Sequence, residues 1–438
     1  MSRHRRVLSW LVLGWVVLGW TAACSAPPPP SAAARIELAV AALRAGEFEA
    51  ARDLVATAKA LAPGDVAVAE WNSAVAEAAW QDDAAIAEQQ RAVRITARNE
   101  RESVPSAGLQ QAALQGRLGD LLFAAGRWGE ATLWLEAGAI GDEAVRRRAF
   151  AEVSRRLPFQ RTTTGPFLTE QALLDGGGPE LAVGVGEVLR SLAIDTGTSM
   201  TTLSRTLATE LGVQARTPAG TALDGTGRAV AVEVGILDGM MIGAVGVGAW
   251  PVLVVADDAL ALRDLHGGPS RTPAGVVGLD LLSAFRLSID PERSSIVVER
   301  PIGLAESESV QCVRLEGRCL VPVVVEGVRL WFVMDTGASH SSLTVEGLAA
   351  LPGGQSRAQP AFRRVRTLGG GTFAVREVVD LVLRVGVARF QGVRLPVVDR
   401  KQSEFFPVHG VLGFDLLSRC RMTLDRGRAR ITAVAETG

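Results

Sequence analysis

Two aspartates in matching company are the residues of this chain best suited to chemistry. Asp195 opens the run Asp195-Thr196-Gly197-Thr198-Ser199, and Asp335 opens Asp335-Thr336-Gly337-Ala338-Ser339, 140 positions further on. Each ends an apolar, strand-like stretch, Ser191 to Ile194 in the first case and Trp331 to Met334 in the second. Carboxylates carried on twin turns suit a reaction that needs a pair of them. The separation is long enough for each to sit in its own small domain. Metal chemistry finds no footing, because His4, His266, His340 and His409 include no pair at metal-ligand spacing. No metal or other cofactor is expected.

The elements that must present these turns read as one unit written twice. After Leu157-Pro158 the chain changes to Val- and Gly-rich alternation with frequent turn residues, the pattern of short strands. A hairpin-like pair precedes each aspartate: Leu181 to Val185 with Leu189 to Ile194, then Leu320 to Val325 with Val328 to Met334. A Gly-rich turn follows each, Leu223-Asp224-Gly225-Thr226-Gly227 and Leu368-Gly369-Gly370-Gly371-Thr372. Further strands are expected at Trp250 to Ala256 and Val393 to Asp399. Both copies close on one phrase, Gly275-Val276-Val277-Gly278-Leu279-Asp280-Leu281-Leu282 and Gly410-Val411-Leu412-Gly413-Phe414-Asp415-Leu416-Leu417. A last strand ends in Ile289-Asp290 or Leu424-Asp425.

In this order the motifs resemble the retropepsin-like aspartic proteases over roughly residues 165 to 435. The resemblance implies two all-β acid-protease lobes, at 165–300 and 305–435, each supplying one catalytic aspartate. Asp195 and Asp335 would then share one proton, since carboxylates in contact cannot both ionise. Thr196 and Thr336 would hydrogen-bond across the two loops, and Gly197 and Gly337 would let backbone N–H groups reach the carboxylates. Ser199 and Ser339 would donate to the outer oxygens. Gly225, Thr226 and Gly227, with Gly369, Gly370 and Gly371, would form flaps closing on an extended peptide as added strands. Gly278 and Gly413 are expected where a side chain would block the catalytic loop. Asp280 and Asp415 read as caps or surface residues, and His340 as a bystander. The chain has no tyrosine; pepsin-like enzymes carry one on the flap, so the resemblance lies with the retropepsin type.

Ahead of the β-rich part, residues 33–157 are rich in Ala, Leu, Glu and Arg with helical periodicity. Leu38, Ala39, Ala42, Gly46, Phe48, Ala51, Ala58 and Pro63 fall at the spacing of a tetratricopeptide repeat. Leu118, Gly119, Leu122, Gly126, Trp128 and Ala131 repeat it. About three stacked helical hairpins are expected. They resemble a scaffold for a protein partner, or serve only as a bundle packed on the C-terminal part.

Residues 1–24 read as a targeting segment: a basic head, an apolar run from Val7 to about Trp20, then Thr21-Ala22-Ala23-Cys24. This resembles a bacterial lipoprotein signal with Cys24 as the lipidated first residue. Ser25 then suits outer-membrane sorting, facing the periplasm, and residues 25–32 form a Pro-rich spacer. An uncleaved N-terminal membrane anchor is the competing reading. In an oxidising compartment Cys312 and Cys319, flanking a hairpin-like segment, could pair and leave Cys420 over. Buried free thiols are the equal alternative.

With 438 residues, 48% hydrophobic and 21% charged, the chain is globular and multidomain, and its net charge of −1 argues against nucleic acid. Two functions stand against each other. One is a membrane-tethered, extracytoplasmic aspartic endopeptidase acting on peptide or protein substrates. The other is a non-catalytic, lipid-anchored scaffold whose lobes bind peptides without cutting them. Pairing of the two lobes within one chain, or with those of a second chain, stays open.

Overall fold

Alanine and leucine at helical spacing fold the first part into a row of antiparallel helices. Ala32–Arg44 pairs with Phe48–Leu61, Val66–Ala78 with Asp82–Glu100, and Ala107–Ala124 with the single turn Trp128–Ala131. Asp142–Ser154 ends the row. Ser31 and Asp65 cap two of these helices, accepting from the amides of Ala34 and Val68. The computed structural model describes residues 30–100, 107–137, 142–166, 168–173, 178–223, 229–260, 273–366, 372–399 and 403–433. Among them no helix is long and apolar enough to cross a membrane. Cys24 and the segment before it lie outside the described residues.

The three hairpin turns share one backbone device. Gly46, Trp80 and Gly126 all take the left-handed conformation, at φ +75°, +62° and +73°. Glycine adopts it freely, but tryptophan does so only when neighbours hold it. Here the Arg314 guanidinium lies 4.9 Å from the Trp80 ring centroid. The other neighbour is Gly427, where a Cβ would come within 2.3 Å of that ring. Phe48 and Trp128 follow two turns at equivalent positions and are both buried. The third hairpin departs from the expected pattern, because its second helix stops after one turn.

The β-rich part holds two sheets of one strand order. In the first, Glu180–Val185, Val188–Ile194, Gly275–Val277, Thr202–Ser204, Trp250–Val255, Ala229–Leu237 and Gln214–Leu223 lie side by side. In the second the order is Arg318–Val325, Val328–Met334, Gly410–Leu412, Ser342–Thr344, Ala388–Val398, Thr372–Val385 and Gln359–Arg366. Each strand before an aspartate runs parallel to the strand of the closing phrase, and that strand is antiparallel to the one following the aspartate loop. Arg318–Val325 also pairs with Thr372–Val385, closing the second sheet into a barrel. The first sheet instead extends past Glu180–Val185 through the hairpin Met240–Ile242 and Val245–Val247.

A third sheet joins the halves. Arg286–Asp290 pairs antiparallel with Cys420–Asp425, matching Leu287 to Leu424 and Ile289 to Met422, with the Ser288 and Thr423 hydroxyls 3.0 Å apart. Ser295–Glu299 and Arg428–Ala433 flank this pair, and Leu168–Ala172 and Val310–Gln311 take the edges.

Burial differs between the twin strands for a physical reason. From Leu330 to Met334 every residue is buried, whereas burial in Val188–Ile194 alternates toward its end. The second strand is covered on both faces: Trp331 packs with Phe48, Phe406 and the first helices, while Phe332 faces the β core.

Candidate active site

Each aspartate sits at the end of a central strand, with its amide bonded to the adjacent strand of the closing phrase. Asp195 N donates to Val277 O at 3.1 Å and Asp335 N to Leu412 O at 3.0 Å. The two loops meet head to head, so the structure brings the carboxyls of Asp195 and Asp335 into hydrogen-bond contact. The approach is close. A Cβ on Gly197 would come within 2.4 Å of the Asp335 Cγ, and one on Gly337 within 2.5 Å of the Asp195 Cγ. Only glycine leaves room for this.

The threonines tie the loops together. Thr196 N donates to Thr336 Oγ1 and Thr336 N to Thr196 Oγ1, each at 3.1 Å. Thr196 Oγ1 donates onward to Met334 O at 2.7 Å, and Thr336 Oγ1 to Ile194 O at 2.6 Å. Both side chains are buried, so four hydrogen bonds fix the two strand ends against each other away from water.

Around Asp195, Gly197 N donates to Oδ1 at 2.8 Å and Thr198 Oγ1 to Oδ2 at 2.7 Å. Asp335 Oδ1 accepts from Ala338 N at 2.9 Å. Burial holds the Asp195 carboxyl above the usual carboxylate range, against the opposing pull of the donors from Thr198, Gly197 and Asp335. One correction concerns Ser199. The side-chain donor to the first aspartate is Thr198, three residues on, where the turn folds the chain back over the carboxylate. Ser199 lies one residue too far and packs against Gly317, and the Ser339 hydroxyl bonds His340 Nδ1 at 3.0 Å.

The closing phrases do more than pack. A Cβ at Gly278 would lie 2.5 Å from Met200, and one at Gly413 2.6 Å from His340, so both glycines give the aspartate loops their place. Asp280 Oδ1 accepts from Thr201 N at 2.8 Å and Thr201 Oγ1 at 2.9 Å. Asp415 Oδ1 accepts from Ser341 N at 2.8 Å and Ser341 Oγ at 2.7 Å. Asp415 is at the surface, as the sequence suggested, and Asp280 is partly covered, but neither is only a helix cap. They clamp the loop following each Asp-Thr-Gly. The hydroxyl six residues after each aspartate was the signal for it.

The flap glycines Gly225, Gly227, Gly369, Gly370 and Gly371, with Thr226, lie outside the described residues. The strands that bracket them do pair, ending at Leu223 with Ala229 and at Arg366 with Thr372. Cys312, Cys319 and Cys420 are free, buried thiols. Cys312 and Cys319 touch through a thiol hydrogen bond that, with burial, pushes the Cys319 thiol up, and burial pushes Cys420 up to about 12.

Against known families, residues 321–416 match the model of an aspartyl protease family. That stretch runs from the strand pair before Asp335 to the closing helix after Gly413. No curated protein matches the chain. The family match supports an aspartyl protease domain in this part of the chain and, at that general level, a protease-like function on a peptide or protein substrate.

Proposed function

We propose that the chain is an aspartic endopeptidase in which two retropepsin-like lobes of one molecule contribute Asp195 and Asp335 to a single water-activating pair. The observation that carries this reading is the hydrogen bond between those two carboxyls, each lodged against the glycine of the opposite loop. The charged carboxylate takes a proton from a bound water as it attacks the scissile carbonyl carbon. The protonated carboxyl polarises the carbonyl oxygen, and a proton then passes to the departing amine. No covalent enzyme intermediate forms.

The helical hairpins belong in this reading to the tetratricopeptide type, with a capacity for a protein partner. A lipid on Cys24 holds the molecule in a bacterial envelope, at the outer membrane and facing the periplasm; an uncleaved anchor would hold it on the same side. An oxidising compartment would permit a disulfide between Cys312 and Cys319, which are free thiols here.

The test is cleavage of a peptide library at mildly acidic pH. Wild-type protein should cut in a pepstatin-sensitive way, and Asp195→Asn and Asp335→Asn should each abolish it. Full activity in either variant overturns the proposal. Peptide binding by the wild type without cleavage at any pH would make the molecule a scaffold instead.

A further inference from the structure

The helical region reaches the loop of one aspartate through a chain of three side chains. Trp128, just after the third hairpin turn, is 1% exposed. Its ring meets that of Trp250 edge to face, with centroids 5.5 Å apart and planes at 88°. Trp250 opens the strand Trp250–Val255 of the first lobe and is itself 3% exposed. Its indole Nε1 donates to Asp280 Oδ2 at 2.9 Å. The other oxygen of Asp280 holds the amide and hydroxyl of Thr201, and the Asp280 amide donates to Ser199 O at 3.1 Å. Asp280 thus grips the Asp195 loop with one oxygen and is itself gripped by Trp250 with the other.

The second lobe shows what the arrangement lacks without that tryptophan. Val254 pairs with Leu203 in the first lobe as Val397 pairs with Leu343 in the second, so the strand position of Trp250 is that of Val393. Valine has no donor to offer. Asp415 accordingly lies exposed, whereas Asp280 is mostly covered. The duplication is symmetric in its backbone and in the clamp on Thr201 or Ser341, but only one copy has its clamp fastened to the helices.

We propose that Trp250, seated on Trp128, is a positioning residue that makes correct placement of the Asp195 loop depend on the docked helical region. This rests on the reading of Asp195 and Asp335 as the working pair. An indole wedged between a buried aromatic and a carboxylate fixes that carboxylate's direction as well as its contact. Small displacements at a reacting centre are costly in rate, while the peptide-binding surface elsewhere is unchanged. The helical region is therefore part of the cleavage machinery and not a detachable adaptor.

The experiment uses the full chain with Trp250→Phe, which keeps the aromatic contact and removes the donor, and Trp128→Leu, which removes the seat. Steady-state cleavage is read as separate kcat and KM, and hydrogen exchange is followed over residues 195–203. Both variants should fold, exchange faster in that segment, and lose roughly ten- to a hundredfold in kcat with KM within about twofold of wild type. Wild-type kcat and unchanged exchange in Trp250→Phe would overturn the proposal, as would a loss confined to KM. If wild-type protein cuts nothing, the dyad reading fails by itself. Exchange over 195–203 then still decides whether Trp250 positions the loop.

Discussion

Thr196 and Thr336 exchange hydrogen bonds across the meeting point of the two lobes, each amide donating to the other's hydroxyl at 3.1 Å. The exchange is buried, so removing one hydroxyl strands an amide on the opposite loop and a carbonyl at the end of a strand. Thr196→Val keeps the shape and loses both bonds. Each buried orphan costs roughly 1–3 kcal/mol. We expect that scale of loss in denaturant unfolding, together with loss of cleavage, while Thr196→Ser retains most of both. A valine variant as stable as wild type would show that the grip is not holding the loops.

The donors around the two carboxyls are unequal. Thr198 gives Asp195 a hydroxyl, and the matching position beside Asp335 is Ala338, which gives an amide alone. A hydroxyl donating to a carboxylate favours its charged form, so its removal raises the carboxyl's pKa. Thr198→Ala should move the acid limb of the pH profile for kcat/KM to higher pH. Ala338→Ser should move it the other way. Coincident profiles in all three proteins would refute this.

Burial raises the Asp195 carboxyl, and that has a stability consequence with a definite sign. A carboxyl whose folded pKa lies above its unfolded value contributes stability below the unfolded pKa and loses it as pH rises through the folded one. At neutral pH the charged pair is therefore a burden on the fold. Asp195→Asn should melt at a higher temperature than wild type at pH 7, and the gap should close on acidification below the ordinary carboxylate range. An asparagine variant less stable at pH 7 would reverse the sign argued here.

Both aspartates come from one chain, across a joining sheet centred on Ser288 and Thr423. Mixing Asp195→Asn with Asp335→Asn protein should therefore restore no cleavage, because every molecule carries one dead half of its own pair. Recovery of activity on mixing would mean that lobes from different chains meet. Gel filtration should show the active species as a monomer.

Much of the site could be read from residue order because the lobe is written twice. The strands before Asp195 and Asp335 and the closing phrases fall at or near their expected places, within a residue or two at most ends; Ala388–Val398 begins five residues early. What escaped depended on contacts between distant positions. Asp280 clamps Thr201 from 79 residues away and Asp415 clamps Ser341 from 74; the hydroxyl six residues after each aspartate marks the receiving end, but nothing near Asp280 or Asp415 points back to it. The exchange of Ser199 for Thr198 turned on which residue of a tight turn folds over the carboxylate, a matter of backbone direction. The helical region could be read as hairpins. Its attachment could not, because Trp331 Nε1 bonding Gly46 O at 2.8 Å joins residues 285 positions apart.

That attachment has a wider meaning. The first hairpin turn receives Trp331 of the second lobe, the second receives Gly427 beside the joining sheet, and the third leads into Trp128, the seat of Trp250 in the first lobe. The row of turns thus runs alongside the molecule like the marks of a gauge, one mark for each β-sheet. Adding or deleting a hairpin would shift every later mark off its target. The number of hairpins is thereby tied to the span of the two lobes and is not free to drift as it is in an independent binding array.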